Sequence, residues 1–345
     1  MKDLTAARDW RPPDHWERFT VIDSHTGGEP FRIVIEGLPP VAGESVAEMR
    51  RNARERLDRY RRILTWEPRG HADMYGGWIG PPTRPDSDFS VLFVHNAGFS
   101  TMCGHGIIAL GKVLVDTGLV DAHEPSTTLV IDTPAGQVRA DVAVADGTAR
   151  AVTFRNVESF VVELDAVVVV PGLGTVSYDL AFGGAFYAYV EASSLGLELD
   201  DAASLIAAGR KIKRAIASDR KIDHPSDADL GFLYGVIFTG PSTDPSNRHR
   251  SVCIFADGEL DRSPTGTGVS GSLAILVERG ELGMGERIAV ESILGSVFKG
   301  KPVAHTEVGG IPAVIPEISG TAHLIGRTEF WVDPQDPLGE GFFLR

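Results

Sequence analysis

The sequence predicts an α+β protein of two pseudo-symmetric domains, each a curved sheet wrapped around one mostly apolar helix. Three observations carry that reading. First, 345 residues, 43% of them hydrophobic and 23% charged, fit two globular domains of ordinary size. Second, the chain repeats itself. The segment from Phe93 through Met102-Cys103-Gly104-His105-Gly106 returns 162 residues later as Phe255 through Pro264-Thr265-Gly266-Thr267-Gly268, and Gly118 falls on Gly280 in the same register. Asp23-Ser-His-Thr-Gly27-Gly28-Glu29 resembles Asp179-Leu-Ala-Phe-Gly183-Gly184-Ala185 at an offset of 156, and Thr133-Pro-Ala-Gly136 resembles Ser292-Ile-Leu-Gly295 at 159. With 39 glycines a single match means little; three in one order at nearly one offset mean an internal duplication of about 160 residues. Third, each half alternates β-branched runs with an apolar helix opened by glycine.

The elements follow in order. Strands are expected at 19–22, 31–36 and 91–95, then at 129–133 and 138–144. Between them a Gly-rich turn opens an apolar helix at 104–116, matched by one at 266–278 in the second half. Gly118 and Gly280 stand just past these helices, where a left-handed cap suits glycine. Residues 46–62 read as one polar helix whose arginines alternate with Glu and Asp, as on a solvated face, and 202–221 as its counterpart.

Charge excludes several classes of partner. Lys plus Arg is 33 and Asp plus Glu is 47, a net charge of −14, which repels phosphate backbones and anionic lipid. No nucleic-acid or membrane partner is expected. No apolar run approaches the roughly 20 residues of a membrane-spanning helix; the longest, 161–170, is broken by Glu163 and Asp165. The opening MKDLTAARDWRPPDHW lacks the apolar core of a signal peptide and is too acidic for a transit peptide, so a cytoplasmic location is expected. Two cysteines, Cys103 and Cys253, fit a reducing compartment. Without a Cys-x-x-Cys pair, a His-x-x-x-His pair or a calcium loop, no metal site is expected.

Cys103 directly precedes a glycine turn that enters a helix. Its sulfur should lie at the helix N-terminus, where unpaired N–H groups and the dipole favour the thiolate and lower its pKa. His105 adds a polarising group. The competing reading is a small core hydrophobe. Glycines at 104, 106, 266 and 268 let backbone N–H groups approach an anion closely. Two such starts, facing one another across a cleft, would hold a small carboxylate on the N–H groups of Gly104, His105, Gly266 and Thr267; ordinary helix capping is the alternative. Residues 266–271 also spell G-x-G-x-x-G, with Glu291 twenty residues beyond Gly271. A dinucleotide site is not expected there, because 257–264 reads as a polar loop rather than a strand and the repeat-mate lacks the pattern.

Met102-Cys103-Gly104-His105-Gly106, Asp261-Arg-Ser-Pro-Thr265-Gly-Thr-Gly268 and Asp23-Ser-His-Thr-Gly-Gly-Glu-Pro30 together resemble the proline racemase family. Phe182-Gly-Gly-Ala-Phe-Tyr187 and Glu67-Pro-Arg-Gly-His71 extend the resemblance over nearly the whole chain from Phe19. It implies a fold similar to diaminopimelate epimerase, with the active site in the interdomain cleft. It also implies a C-terminal segment returning to the first domain. The expected spans are then 17–165 plus 327–345 for the first domain and 166–326 for the second. A homodimer is suggested by resemblance alone.

Racemases of this family place a cysteine at each helix start, so that one removes the Cα proton and the other returns one from the opposite face. This chain keeps Cys103 but has Thr265 at the second position. Threonine has no thiol-like pKa and is a poor acid or base near pH 7, so two-base racemisation should be lost. The Cys/Thr pairing resembles that of the family's trans-3-hydroxy-L-proline dehydratases. Stereochemistry agrees: in that imino acid the Cα hydrogen and the 3-hydroxyl share a ring face, so a single base suffices. In this reading the Cys103 thiolate is general base, the paired helix starts hold the carboxylate, and the enamine becomes Δ1-pyrroline-2-carboxylate. The proton for the leaving hydroxide comes from Cys103, His105 or water, which the sequence leaves open. By resemblance His105 and Asp261 bind the ring nitrogen. No cofactor is invoked. The alternatives are a racemase or hydroxyproline 2-epimerase of the same fold, or a non-catalytic carboxylate-binding protein.

Other residues receive structural readings. Cys253, in Ser251-Val-Cys-Ile-Phe255, fits a buried strand; as a displaced second acid it would let racemisation survive. Phe255 fits pocket or core equally. Glu29 and His25 fit a role holding the first glycine loop, and His71 and His95 fit structural roles.

Overall fold

A computed structural model describes residues 4–344; residues 1–3, which begin the opening segment read above, and Arg345, the last of the 327–345 span, lie outside the described residues. The two halves of the chain build the same circuit of strands. In the first, Glu17–Thr26 pairs antiparallel with Glu29–Glu36, which runs parallel to Tyr75–Gly80, itself antiparallel to Phe89–His95. That strand lies parallel to Ser126–Thr133, from which Gly136–Ala145 and Thr148–Arg155 continue antiparallel. In the second half Gly174–Phe182, Phe186–Glu191, Leu233–Gly240, His249–Phe255, Ile288–Glu291, Val297–Val308 and Ile311–Gly320 repeat this order, with parallel pairs at the same two places.

The halves are stitched where the circuits meet. Thr148–Arg155 pairs with Ile311–Gly320, and Ala322–Val332 then runs antiparallel along Glu17–Thr26 from end to end. The Arg69 guanidinium anchors this returning chain on the carbonyls of Trp331 and Gly339. The architecture is the diaminopimelate epimerase-like α+β fold.

The helices Gly104–Asp116 and Gly266–Glu278 start and stop at the expected residues. Each is apolar on nearly every side because protein surrounds it, rather than one face meeting water. Gly118 and Gly280 follow with φ of +72° and +70°. The strands around the helices show the complementary period of two. In Gly136–Ala145, Val138, Ala140, Val142 and Val144 are buried while Gln137, Arg139 and Ala143 face solvent.

Three local expectations are corrected. The helix expected at 46–62 is two helices, Val46–Arg56 and Asp58–Thr65, broken at Leu57. Two of its arginines are buried rather than solvated: Arg50 donates to the Phe99 carbonyl, and Arg61 to the carbonyls of His95 and Asn96 and to Asp58. Carbonyls at strand ends outbid water for these side chains, an effect of tertiary contact that periodicity does not carry. The counterpart helix spans Ala202–Asp219, two residues shorter than expected. The stretch read as a polar loop holds a short strand, Glu259–Asp261, with both carboxylates buried, Glu259 against His95 and Ala97 far off in sequence and Asp261 against the nearby Ser263 and Thr265. Among the described residues no helix is long and apolar enough to cross a membrane.

Candidate active site

The two glycine-opened helices meet end to end. A Cβ on Gly104 would stand 2.7 Å from Gly266 Cα, and one on Gly266 would stand 2.8 Å from Gly104 Cα. Only glycine at both positions lets the two N-termini touch. Beside this contact lies a cavity of about 20 Å³ bordered by Cys103, Gly104, His105, Asp261, Thr265, Gly266 and Thr267. The structure thus brings together every residue that the sequence singled out for the site. The cavity has room for about one water-sized molecule. A far larger groove of about 740 Å³, between Val167–Val169 and the Lys211–Asp219 face, contains none of these residues.

The two helix starts are not equivalent. Cys103 has an ordinary extended backbone and caps its own helix: its Sγ accepts the Gly106 N–H at 3.2 Å and lies 3.2 Å from His105 Nδ1. Thr265 has φ +63°, in the region that β-branched residues avoid, and its side chain caps nothing. Its Oγ1 donates to Asp261 Oδ2 at 2.8 Å, while Asp261 Oδ1 accepts the Ser263 N–H at 2.7 Å. Thr267 Oγ1 lies 2.8 Å from the Tyr187 hydroxyl.

Electrostatics revise one expectation. The Gly106 N–H does pull the Cys103 thiol down, but burial outweighs it, and the charges of Asp261 and Glu29 add to burial. In the closed cavity the thiol is therefore pushed up, not down. A helix terminus stabilises a thiolate through two or three N–H groups, which does not offset removing the charge from water. Burial likewise lowers His105, with Asp261 opposing, so its imidazole is held neutral.

Contacts across the cleft explain the remaining polar residues. The fully buried Glu29 accepts the Arg262 N–H at 2.8 Å; burial first, and the Asp261 charge second, push its carboxyl well up. His95 Nδ1 lies 3.1 Å from Glu259 Oε1, which also accepts the Ala97 N–H at 2.9 Å. Ser296 donates to the Gly27 carbonyl and Thr101 to that of Gly184. His25 Nδ1 accepts the Gly28 N–H within its own loop, and His71 is exposed. Phe255 lines the cavity, as does Cys253, read from sequence as a strand residue; its neighbour in register is Asp261, and burial pushes its thiol up.

Three cavity residues carry chemistry that sequence reading passed over: Tyr75, Tyr187 and Tyr234. The duplication held a signal for two of them, since Tyr75-Gly76 recurs as Tyr234-Gly235 at an offset of 159, within the run of the other repeats. Their hydroxyls lie 3.3 Å apart across the cleft.

A family model described as proline racemase matches residues 21–343. The chain belongs to the proline racemase family. It is 46% identical over 341 residues to a trans-3-hydroxy-L-proline dehydratase from Colwellia psychrerythraea, covering 97% of this chain and 96% of that one. It is 44% identical over 328 residues to a 3-hydroxyproline 2-epimerase from Burkholderia multivorans, covering 94% and 98%. Among solved structures, a hydroxyproline epimerase from Agrobacterium vitis with bound trans-4-hydroxy-L-proline superposes with a TM-score of 0.91, 32% identity and 96% coverage of both chains. These relatives share the family and the fold but divide between dehydration and inversion at Cα.

Proposed function

We propose that this family member is a trans-3-hydroxy-L-proline dehydratase. One observation carries the reading: of the two abutting helix starts, one presents a thiol and the other an alcohol whose only proton is donated to Asp261. Inversion at Cα needs an acid and a base on opposite faces, whereas removal of the Cα proton and the 3-hydroxyl from one face needs a base on that face alone.

In this mechanism the substrate carboxylate lies against the N–H groups at the start of the two helices, where charge developing at the enolate is stabilised. The ring nitrogen, cationic on entry, faces His105 and Asp261. Its charge offsets the buried acids that hold the Cys103 thiol protonated, which favours the thiolate once substrate is bound. Cys103 removes the Cα proton, the 3-hydroxyl departs from the same face, and the enamine tautomerises to Δ1-pyrroline-2-carboxylate.

A second reading has its own supporting observation. Cys253 lies in the cavity wall beside Thr265, and a thiol there could return a proton to the second face, making the protein a 2-epimerase. Incubation with trans-3-hydroxy-L-proline, with the cyclic imine trapped by 2-aminobenzaldehyde, tests the first reading: imine formation is expected. Incubation with L-proline in D₂O separates the two. Deuterium at Cα without D-proline fits the one-base site, and accumulation of D-proline would favour inversion.

A further inference from the structure

The leaving hydroxyl needs a proton, and the cavity offers a donor outside the family motifs. Tyr75 is buried at 3% exposure, opens the strand Tyr75–Gly80 in the Cys103 half and lines the cavity. Its ring is fixed on three sides: stacked on His95 at 5.5 Å, stacked on Phe31 at 6.4 Å, and edge-on to His105 at 4.8 Å. Its hydroxyl hydrogen-bonds Ser100 Oγ and Tyr234, and Tyr75 borders the same small cavity as Cys103. Burial pushes this phenol up, so it keeps its proton across the physiological range. Several other polar groups of the cavity are committed elsewhere. Tyr187 pairs with Thr267 on the second helix, the Thr265 proton goes to Asp261, and His105 is the proposed partner of the ring nitrogen.

We propose that the Tyr75 hydroxyl is the general acid that protonates the departing 3-hydroxyl, on the same ring face from which Cys103 removes the Cα proton. This rests on the dehydratase reading. The Cα–H bond breaks with its proton passing to Cys103 Sγ, and its electron pair forms the C2–C3 double bond. The C3–O bond breaks, and the oxygen leaves as water with the Tyr75 proton. The Cys103 thiol then returns its proton to the adjacent Tyr75 phenolate. The enzyme is back in its starting state, and the only products are enamine and water. A phenol is a far better match to this task than a neutral imidazole or an alcohol, being acidic enough to assist hydroxide loss yet fully protonated beforehand.

The test compares wild type with Tyr75→Phe, which removes one oxygen and keeps the ring stack. Three rates are measured: imine formation from trans-3-hydroxy-L-proline, Cα–H exchange of L-proline in D₂O, and fluoride release from trans-3-fluoro-L-proline. Fluoride leaves without a proton. The expected result is dehydration reduced about 100-fold or more, with exchange and fluoride release within about threefold of wild type. Dehydration that also stays within about threefold overturns the assignment, as does a parallel fall in all three rates. Should the variant fail to fold, wild type alone decides. A solvent deuterium isotope effect on dehydration but not on fluoride release is expected, and equal effects overturn the proposal. Wild type that does not dehydrate trans-3-hydroxy-L-proline sinks the dehydratase reading and this proposal together; wild type that does, with an unimpaired variant, sinks only the role of Tyr75.

Discussion

Thr265 Oγ1 donates its single proton to Asp261 Oδ2 at 2.8 Å, in the cavity that Cys103 also lines. The second helix start therefore keeps the geometry of a two-sided site while its side chain serves as a fixed donor. Replacing that side chain should change the reaction more than the fold. Thr265→Cys is expected to add a thiol on the second face and give D-proline from L-proline, read by chiral chromatography. A variant with no inversion at all would mean that the second face is closed for a reason other than its acid.

Cys103→Ser keeps a side chain that can cap the helix on the Gly106 N–H but substitutes an alcohol for the base. Turnover of trans-3-hydroxy-L-proline should fall at least about 100-fold. Thermal stabilisation by the substrate should persist, because the helix N–H groups remain. Unchanged turnover would remove the thiol from the mechanism.

The pH dependence of the free thiol has a definite sign. Burial, aided by Asp261, holds the Cys103 thiol above its ordinary range, so the thiolate fraction is small near pH 7 and grows as pH rises. Alkylation by iodoacetamide, followed by mass spectrometry, should be slow at neutral pH and accelerate into the alkaline range. Asp261→Asn removes one charge that disfavours the thiolate and should shift that profile to lower pH while raising KM. A thiol that labels rapidly at pH 6 would contradict the electrostatic account.

Gly104→Ala places a methyl group 2.7 Å from Gly266 Cα, backbone that cannot swing aside as a side chain can. The halves must separate at the helix starts. We expect a loss of about 1–3 kcal/mol in chemical denaturation together with loss of turnover, and Gly266→Ala should behave alike. Full activity in either variant would mean that the helix starts do not abut in solution.

Acid stability should depend on Glu291, far from the chemistry. Burial pushes its carboxyl up, but hydrogen bonds from Ser242, Thr243, the Asp244 N–H and Asn247 outweigh it and hold the pKa at about 2, below the ordinary carboxyl value of 4.5. A depressed carboxyl stabilises the fold above its unfolded pKa. That contribution is lost as pH falls from about 4.5 towards about 2. Glu291→Gln should lower the melting temperature by a few degrees near pH 7 and flatten its decline below pH 4.5. Identical melting curves would refute this role.

How much was legible in the residues themselves varies with the range of the interaction. The duplication, the two central helices with their bounds, and the Cys103 and Thr265 positions could all be read from the chain. Each is written in local terms, as a repeated spacing, an apolar run of helical length, or a glycine where the backbone must turn. Tyr75 and Tyr234 were legible in principle, as another pair at the same spacing, but a strand-opening tyrosine has many structural uses and nothing local marks one as facing a cavity. Three matters were settled only by assembly. Arg50 and Arg61 left a polar helix for buried carbonyls, the Cys103 thiol was driven up rather than down, and Cys253 became part of the wall beside Thr265. In each case the deciding term is desolvation or contact with groups tens to hundreds of residues away. For the arginines such contacts arise when their helices pack on strand ends of their own half, and for the two cysteines when the halves close on one another; no short window of sequence contains both sides of either.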